Sequence, residues 1–197
     1  MSSRTARTKH GKATGNPPSK TRRTRATTPE SKPTPKIQTA PQPAHQASLD
    51  LGVIGNGTIN ALIDACGRIV WHCVPAFDGD PVFCSLLSPQ TDDAGFFDVA
   101  LEGERARRQH YVDNSAVLVT TLTARDGAEV EITDFAPRYN SHGRTFHPMQ
   151  VLRRIRPLSG SPRIALRLRP LTGYGARRPE RTFGSNHVRY LLDPLVL

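Results

Sequence analysis

Residues 115–137 read SAVLVTTLTARDGAEVEITDFAP, which is two runs of strand-forming residues joined by a tight turn. Apolar and polar side chains tend to alternate along both runs, as expected for strands with one buried face. Asp126-Gly127 separates the runs, and an Asp-Gly pair between such segments is a strong hairpin signal. The segment therefore predicts the clearest antiparallel hairpin of this chain.

Strand-like segments also precede this hairpin, and they start at Leu49. The run LDLGVIGNGTINALIDACGRIVWHCV predicts two or three short strands, with turns at Asn56-Gly57 and Cys66-Gly67. GFFDVAL and ARRQHYV predict further strands. Residues 81–87, PVFCSLL, have apolar side chains at helical spacing and predict one short helix.

After the hairpin, residues 138–148, RYNSHGRTFHP, are polar and predict an exposed loop. MQVLRRIRPL and PRIALRLRPL then flank a Ser159-Gly160 turn and predict a second hairpin. In the later run, Ile164, Leu166 and Leu168 share one predicted face, which we expect to point into a core. An apolar face opposite a polar face predicts an all-β fold, an antiparallel β-sandwich.

The basic charge of the chain is concentrated in residues 1–48. Ten of the 27 lysines and arginines lie there with one of the 17 acids, Glu30, which gives +9; the other 17 cations and 16 anions give +1. The segment is rich in Thr, Ser and Pro, and its one large aliphatic residue is Ile37. Such a composition cannot bury enough apolar surface to fold. We predict a disordered basic tail at 1–48 and a folded domain at 49–197.

Signals for secretion and membrane insertion are missing from the sequence. No apolar run of about 7–15 residues follows the basic start, and no stretch of about 18 apolar residues is present. Cys66, Cys73 and Cys84 fit neither a zinc ribbon nor a C-x-x-C motif, so we predict buried free thiols. Free thiols agree with a reducing compartment, and we expect a cytoplasmic protein without membrane contact.

An ordered set of short motifs runs from residue 52 to residue 83. Its members are Ile54-Gly55-Asn56-Gly57, Ala61-Leu62-Ile63, Gly67, Ile69, Trp71, Cys73, Pro75, Phe77, Asp78, Val82 and Phe83. This order resembles the opening of the trehalase-like and glucoamylase-like enzymes of glycoside hydrolase family 15. VEITDFAPR, LRRIRPLSG, LRPLTGYG and GSNHVRY also resemble family segments, so the resemblance covers residues 49–197.

The resemblance implies a β-sandwich of the supersandwich type packed against a C-terminal α/α barrel. It also implies hydrolysis of α-glucosidic bonds in trehalose or glucans, which needs two carboxyl groups about 6.5–9.5 Å apart in an inverting enzyme. In the family both are barrel glutamates, so no catalytic residue is carried over to this chain. Leu195, Val196 and Leu197 end it without a polar closing segment, and we expect a cut within the domain that leaves it inactive alone.

The resemblance suggests a loop that faces the barrel or its substrate, with five candidate residues: Asn56, Gly57, Trp71, Phe77 and Asp78. Four of the five have a structural alternative. Asn56-Gly57 is an ordinary turn signal, Asp78 and Asp80 suit a turn, and a lone tryptophan is typical of a core. The family commonly has arginine before the Phe-Asp pair, whereas this chain has Ala76, so any contact of that arginine is lost.

Two other arrangements carry weaker signals. His142, His147 and Asp134 have neither metal-ligand spacing on a helix nor an activated nucleophile, so we predict no metal, cofactor or catalytic triad. Five arginines predict a solvated sheet face paired with acids rather than a polyanion-binding face: Arg153, Arg154, Arg156, Arg167 and Arg169.

The competing function is a non-enzymatic binding or scaffold protein. Its basic tail would contact nucleic acid or another polyanion weakly and without specificity, through counterion release. The tail has no interleaved aromatic residues on which bases stack.

Overall fold

A computed structural model of the chain describes residues 48–87, 93–192 and 195–197. The predicted tail, apart from Ser48, lies outside these residues. The strands of the described part are β1 (Leu51–Gly55), β2 (Asn60–Asp64), β3 (Ile69–Val74), β4 (Asp80–Phe83), β5 (Phe96–Leu101), β6 (Glu104–Tyr111), β7 (Leu118–Ala124), β8 (Glu129–Phe135), β9 (Tyr139–Ser141), β10 (Arg144–Phe146), β11 (Leu152–Ser159), β12 (Ile164–Arg169), β13 (Glu180–Phe183) and β14 (Val188–Leu191). None of the described residues belongs to a helix with the length and apolar character needed to cross a membrane.

The strands form two main sheets and two separate ribbons, and every pair is antiparallel. One sheet has the order β1-β2-β3-β5-β12, with β4 also paired to β3; the other has the order β11-β8-β7-β6. The ribbons are β9–β10 and β13–β14. The hairpin predicted at Asp126-Gly127 is the β7–β8 pair. The prediction of an all-β antiparallel fold is therefore confirmed.

The core lies between the two main sheets and contains two clusters of buried apolar side chains. The first joins Ile54, Ala61, Ile63 and Ile69 of the six-stranded sheet to Leu118 of β7. The second joins Val99 and Leu101 of β5 to Leu122, Val130 and Ile132 of the four-stranded sheet. Because both clusters contain residues of both sheets, the fold is a sandwich.

The predicted second hairpin is wrong, because its two runs join different sheets. β11 pairs with β8 and β12 pairs with β5, so residues 160–163 cross from one sheet to the other. A Ser-Gly turn signal marks a reversal of the chain but does not specify hydrogen-bond partners. Ile164 and Leu168 pack against the core clusters, whereas Leu166 is 57% exposed on an edge strand. The predicted buried face of β12 is thus only partly correct.

The short helix predicted at 81–87 is also wrong. Val82 and Phe83 are buried in β4, and only Ser85–Leu87 form a 3-10 turn. A short apolar run that is buried on both faces does not alternate, so periodicity cannot distinguish it from a helix. The segment 138–148 is mostly exposed as predicted, but β9 and β10 pair within it around a His142-Gly143 turn with φ of 50° and 72°.

Candidate functional site

Four loops lie at one end of the sandwich, which we call the loop end. The turn at 56–59 and the loop at 75–79 lie at this end because β1 to β4 are successive antiparallel neighbours. The side chain of Asn56 joins the first of these to the segment 137–148, and that of Asp80 joins the second to residues 172–175. The structure therefore places four of the five candidates at this end of the sandwich: Asn56, Gly57, Phe77 and Asp78.

The Asn56 side chain is buried and uses all of its hydrogen-bonding positions. Its Oδ1 accepts from the backbone N–H groups of Thr58 at 3.0 Å and Ile59 at 3.2 Å. Its Nδ2 donates to the carbonyl oxygens of Pro137 at 3.0 Å and Pro148 at 2.8 Å. Since these prolines bracket the β9–β10 ribbon, one amide closes a turn and holds both ends of that ribbon. The geometry gives Asn56 a structural role.

Residues 138–147, which we call the arm, lie between the two carbonyl groups that the Asn56 side chain binds. We call this set of hydrogen bonds the Asn56 clamp. His147 lies at the base of the arm, where Nδ1 donates to the backbone oxygen of Asn56 at 2.7 Å. Tyr139 and Phe146 stack with ring centroids 5.5 Å apart and planes inclined by 16°. Both rings are about half exposed, at 52% and 42%. The arm thus presents an aromatic pair on a fixed base.

Asp80 organises the second half of the loop end. Its carboxylate accepts from the backbone N–H groups of Gly173 at 2.5 Å and Tyr174 at 2.6 Å, and from Thr172 Oγ1 at 3.2 Å. Gly173, Tyr174 and Gly175 all have left-handed backbone, with φ of 64°, 55° and 86°. The carboxylate therefore holds a loop in a conformation that is unfavourable for Tyr174.

Tyr174 is a candidate that the sequence reasoning missed. Its side chain is 77% exposed, the largest exposed fraction of any aromatic residue in the described part of the chain. The signal in the sequence is the Gly-Tyr-Gly triplet, because glycine readily adopts left-handed backbone and a glycine on each side of one residue indicates a tight turn. The tyrosine in this turn lies on the surface of the sandwich and not in its core.

The loop at 75–79 presents Phe77 and Asp78 to solvent, with Phe77 51% exposed. Gly79 closes it by donating from N–H to the carbonyl oxygen of Ala76 at 3.0 Å. A Cβ on Gly79 would lie 2.1 Å from the carbonyl oxygen of Val74, so no other residue fits this backbone. Ala76, where the family has arginine, is half-buried.

Trp71 lies on β3 and not on a loop. It is half-buried, so the interpretation of this residue as a core tryptophan is wrong. The cause is a register shift between β2 and β3, where Leu62 lies opposite Trp71 but Ile63 lies opposite Ile69. The extra residue, Val70, puts Trp71 and Ile69 on opposite faces of the sheet.

The groups considered for a metal site or a triad are dispersed. Asp134 is bound by Arg153, His142 Nδ1 contacts Ser141 Oγ, and His147 contacts Asn56. Within residues 48–87, 93–192 and 195–197, no three His, Cys, Asp or Glu side chains form a group that suits a metal ion.

The five arginines do not share one solvated face. The Arg153 side chain is 2% exposed, whereas Arg156 pairs with Glu131 and Arg167 pairs with Asp98. The prediction of acid partners is correct for these three, and the prediction of a solvated position is wrong for Arg153.

The cysteines are free, as predicted, but only Cys73 is buried. Cys66 and Cys84 are half-buried. Loss of hydration raises the pKa of all three thiols, which keeps them protonated near neutral pH.

Acid–base hydrolysis of a glycosidic bond needs two carboxyl groups on opposite sides of the sugar. The four loops of the loop end contain one carboxylate, Asp78. The neighbouring Asp80 already accepts three hydrogen bonds, and Asp134 is fully buried beside Arg153. Within the described residues, the loop end therefore does not offer the free pair of carboxyl groups that this mechanism requires.

Comparison with known proteins found a family model and related proteins that match this chain. Residues 42–189 match the family model described as "Trehalase-like, N-terminal". Trehalase 1 of Sulfolobus acidocaldarius is 35% identical over 133 residues, which cover 66% of this chain and 20% of that protein. Trehalase of Thermoplasma volcanium is 29% identical over 136 residues, which cover 65% of this chain and 20% of that protein. The chain thus spans about a fifth of the length of these relatives. No solved structure matches it significantly.

Proposed function

The chain belongs to the trehalase-like N-terminal domain family, and from this we propose that it is the non-catalytic β-sandwich domain of a hydrolase of α-glucosidic bonds. Its partner is a catalytic α/α barrel in the same polypeptide, and the substrate is trehalose or a related glucan. The chain alone is inactive.

The proposal rests on one observation at the loop end, which is that the Asp80 carboxylate is already occupied by hydrogen bonds. Asp80 is occupied by the 172–174 segment, which leaves Asp78 as the free carboxylate of the four loops. One carboxylate is insufficient for either an inverting or a retaining mechanism. The acid and base are expected in the part of the relatives that this chain does not cover.

The role left to the domain is to present a rigid surface toward the sugar-bearing side of the barrel. Asn56 fixes the 56–59 turn and both ends of the arm, and Asp80 fixes the 172–174 segment. The 75–79 loop is closed by the bond from the Gly79 N–H to the Ala76 carbonyl oxygen. The exposed aromatic pair of the arm, Tyr139 and Phe146, supplies the contact area. Rigid contacts lose little conformational entropy when two surfaces meet, which favours a stable position of one domain against the other.

Two measurements test the proposal. The purified chain should release no glucose from trehalose or maltose. Release that disappears in Asp78→Asn, but persists in a control Asp126→Asn at the β7–β8 turn, would place the chemistry in this domain instead.

The positive test is a chimera in which residues 48–197 replace the matched segment of the Sulfolobus acidocaldarius trehalase. It should hydrolyse trehalose, whereas the same enzyme with that segment deleted should not. A chimera that folds, as judged by circular dichroism and a cooperative thermal transition, but hydrolyses neither trehalose nor maltose would contradict the proposed role.

A further inference from the structure

We propose that Tyr174 and Phe77 form an aromatic subsite for one glucose ring of an α-glucoside, with Asp78 and Arg177 as hydrogen-bonding groups at its rim. The class of ligand rests on the proposed function. The place and the residues rest on the geometry of the loops at 75–79 and 172–175.

Tyr174 has an unusual backbone conformation. A bulky residue with φ of 55° is strained, and such strain persists only where the surroundings hold it in place. The Asp80 carboxylate does so by accepting from two consecutive N–H groups, those of Gly173 and Tyr174. The strained loop leaves the tyrosine ring 77% exposed, so it does not stabilise the core. Strain without a gain in packing points to binding.

The two aromatic loops are joined at one residue, Asp80. Asp80 directly follows the loop that carries Phe77, and its carboxylate holds the loop that carries Tyr174. Gly79 locks the first loop, because its Cα lies too close to Val74 for any side chain. The two rings are therefore presented from connected, rigid loops, which reduces the entropy lost when a ligand binds.

The side chains of these loops also match the chemistry of a sugar. A glucose ring has C–H groups on its faces and hydroxyl groups on its rim, so it needs flat apolar contacts together with polar partners. The exposed rings supply the contacts, Asp78 accepts hydrogen bonds from hydroxyl groups, and Arg177 donates them. The Arg177 guanidinium lies over Gly173, with Nε and Nη2 3.5 Å from the position of a Cβ there.

The test is saturation-transfer NMR with the full chain and either trehalose or maltose. The decisive variant is Tyr174→Gly, which removes the ring and also relieves the strain, so the fold is retained. We expect transfer to the sugar in the parent chain and an about tenfold weaker affinity in Tyr174→Gly, equivalent to about 1.4 kcal/mol. Phe77→Leu should weaken binding in the same direction. Phe183→Leu, on the exposed β13, is the matched control and should bind like the parent.

Absence of transfer from both sugars to the parent chain would overturn the subsite, as would transfer that Tyr174→Gly leaves unchanged. Chemical shifts of Tyr174 that depend on protein concentration but not on sugar would also overturn it, in favour of a contact between protein surfaces. The chimera separates the two proposals. If it hydrolyses trehalose while the chain binds no sugar, only the subsite fails.

Discussion

Arg153 lies directly opposite Asp134 across the β11–β8 pair, and the two side chains form a bidentate ion pair closed off from solvent. The two hydrogen bonds are 2.7 and 2.9 Å long, and the side chains are 2% and 0% exposed. Arg153 also donates to the carbonyl oxygens of Phe97 in the opposite sheet, at 2.9 Å, and of Gly67 in that sheet's β2–β3 turn, at 2.8 Å. Burial raises the pKa of Asp134, and the charge and hydrogen bonds of Arg153 oppose that rise. The pair therefore ties the two sheets together through one guanidinium group.

Replacing Arg153 by methionine should lower the free energy of unfolding by about 3–5 kcal/mol, because it leaves the Asp134 carboxylate buried without its partner. The measurement is the urea midpoint followed by circular dichroism. Arg156→Met is the matched control on the same strand, because its pair with Glu131 is half exposed and should contribute under about 1 kcal/mol. The double variant Arg153→Met with Asp134→Leu should recover much of the loss. Equal effects of the two methionine variants would contradict this account.

Tyr111 of β6 joins the edge strands of the two main sheets by hydrogen bonds to Val53 of β1. Its hydroxyl group accepts from the Val53 N–H at 2.6 Å and donates to the Val53 carbonyl oxygen at 3.0 Å, so it satisfies both backbone groups of a residue on an edge strand. Tyr111→Phe should cost about 1 kcal/mol of stability and speed hydrogen exchange at the Val53 amide. Tyr139→Phe, on the arm, should change neither quantity. Unchanged exchange at Val53 in Tyr111→Phe would refute the role of this hydroxyl group.

The Asn56 clamp can be tested with a single-atom change. Asn56→Asp keeps the acceptor for Thr58 and Ile59 but replaces the donor by an oxygen that faces two carbonyl groups. Repulsion there should free the ends of the arm, so that trypsin cleaves after Arg144 several times faster than in the parent chain. Asn140→Asp is the control, because this residue lies on the arm and outside the clamp. Equal cleavage rates in Asn56→Asp and the parent chain would show that the arm is held by other contacts.

Local turn chemistry made part of this fold predictable. Asn56-Gly57, Cys66-Gly67 and Asp126-Gly127 each lie in a turn between two paired strands, because such pairs favour the backbone that a tight turn needs. The partners of β11 and β12 were not predictable in this way. Sheet pairing depends on contacts between residues that are far apart in the chain, and a turn signal contains none of that information.

The same contrast between local and long-range information applies to the candidate site. The Phe77-Asp78 pair lies in an ordered motif, which is why the sequence alone makes its loop a candidate. Arg153 was expected in solvent because arginine is rarely buried without a partner, and its partner Asp134 is 19 residues away. Tyr174 depends on Asp80, 94 residues away. Only the flanking glycines mark this position in the sequence.

The concentration of charge in residues 1–48 predicts weak, salt-dependent binding of DNA by the full chain. Neutralising Arg22, Arg23 and Arg25 to glutamine should reduce affinity and flatten the salt dependence, since the slope of log K against log salt is about −0.9 per phosphate neutralised. The control is the same change at three exposed sheet arginines, which are Arg105, Arg108 and Arg154. If both triple variants lose the same affinity, the tail has no special part in binding.

His72 gives the fold a dependence on pH. The ring is buried on β3, and its Nδ1 lies 2.6 Å from the carbonyl oxygen of Asn60, so this nitrogen carries a proton and donates. Burial lowers the pKa of His72 below its ordinary value of 6.5, with the bond to Asn60 acting in the opposite direction. The folded state therefore holds a neutral imidazole, whereas the unfolded chain takes up a proton near pH 6.5.

Because the unfolded state binds more protons in that window, stability should be constant above the unfolded pKa and fall as the pH drops below it. The limiting slope for one proton is about 1.4 kcal/mol per pH unit. Urea midpoints measured between about pH 8 and about pH 5 would give this slope. His72→Gln removes the titrating group, so the slope of the unfolding free energy against pH should decrease by up to the value for one proton. His110→Gln, at an exposed position on β6, should leave the slope unchanged. A profile that falls equally in the parent chain and in His72→Gln would mean that other groups cause the loss of stability in acid.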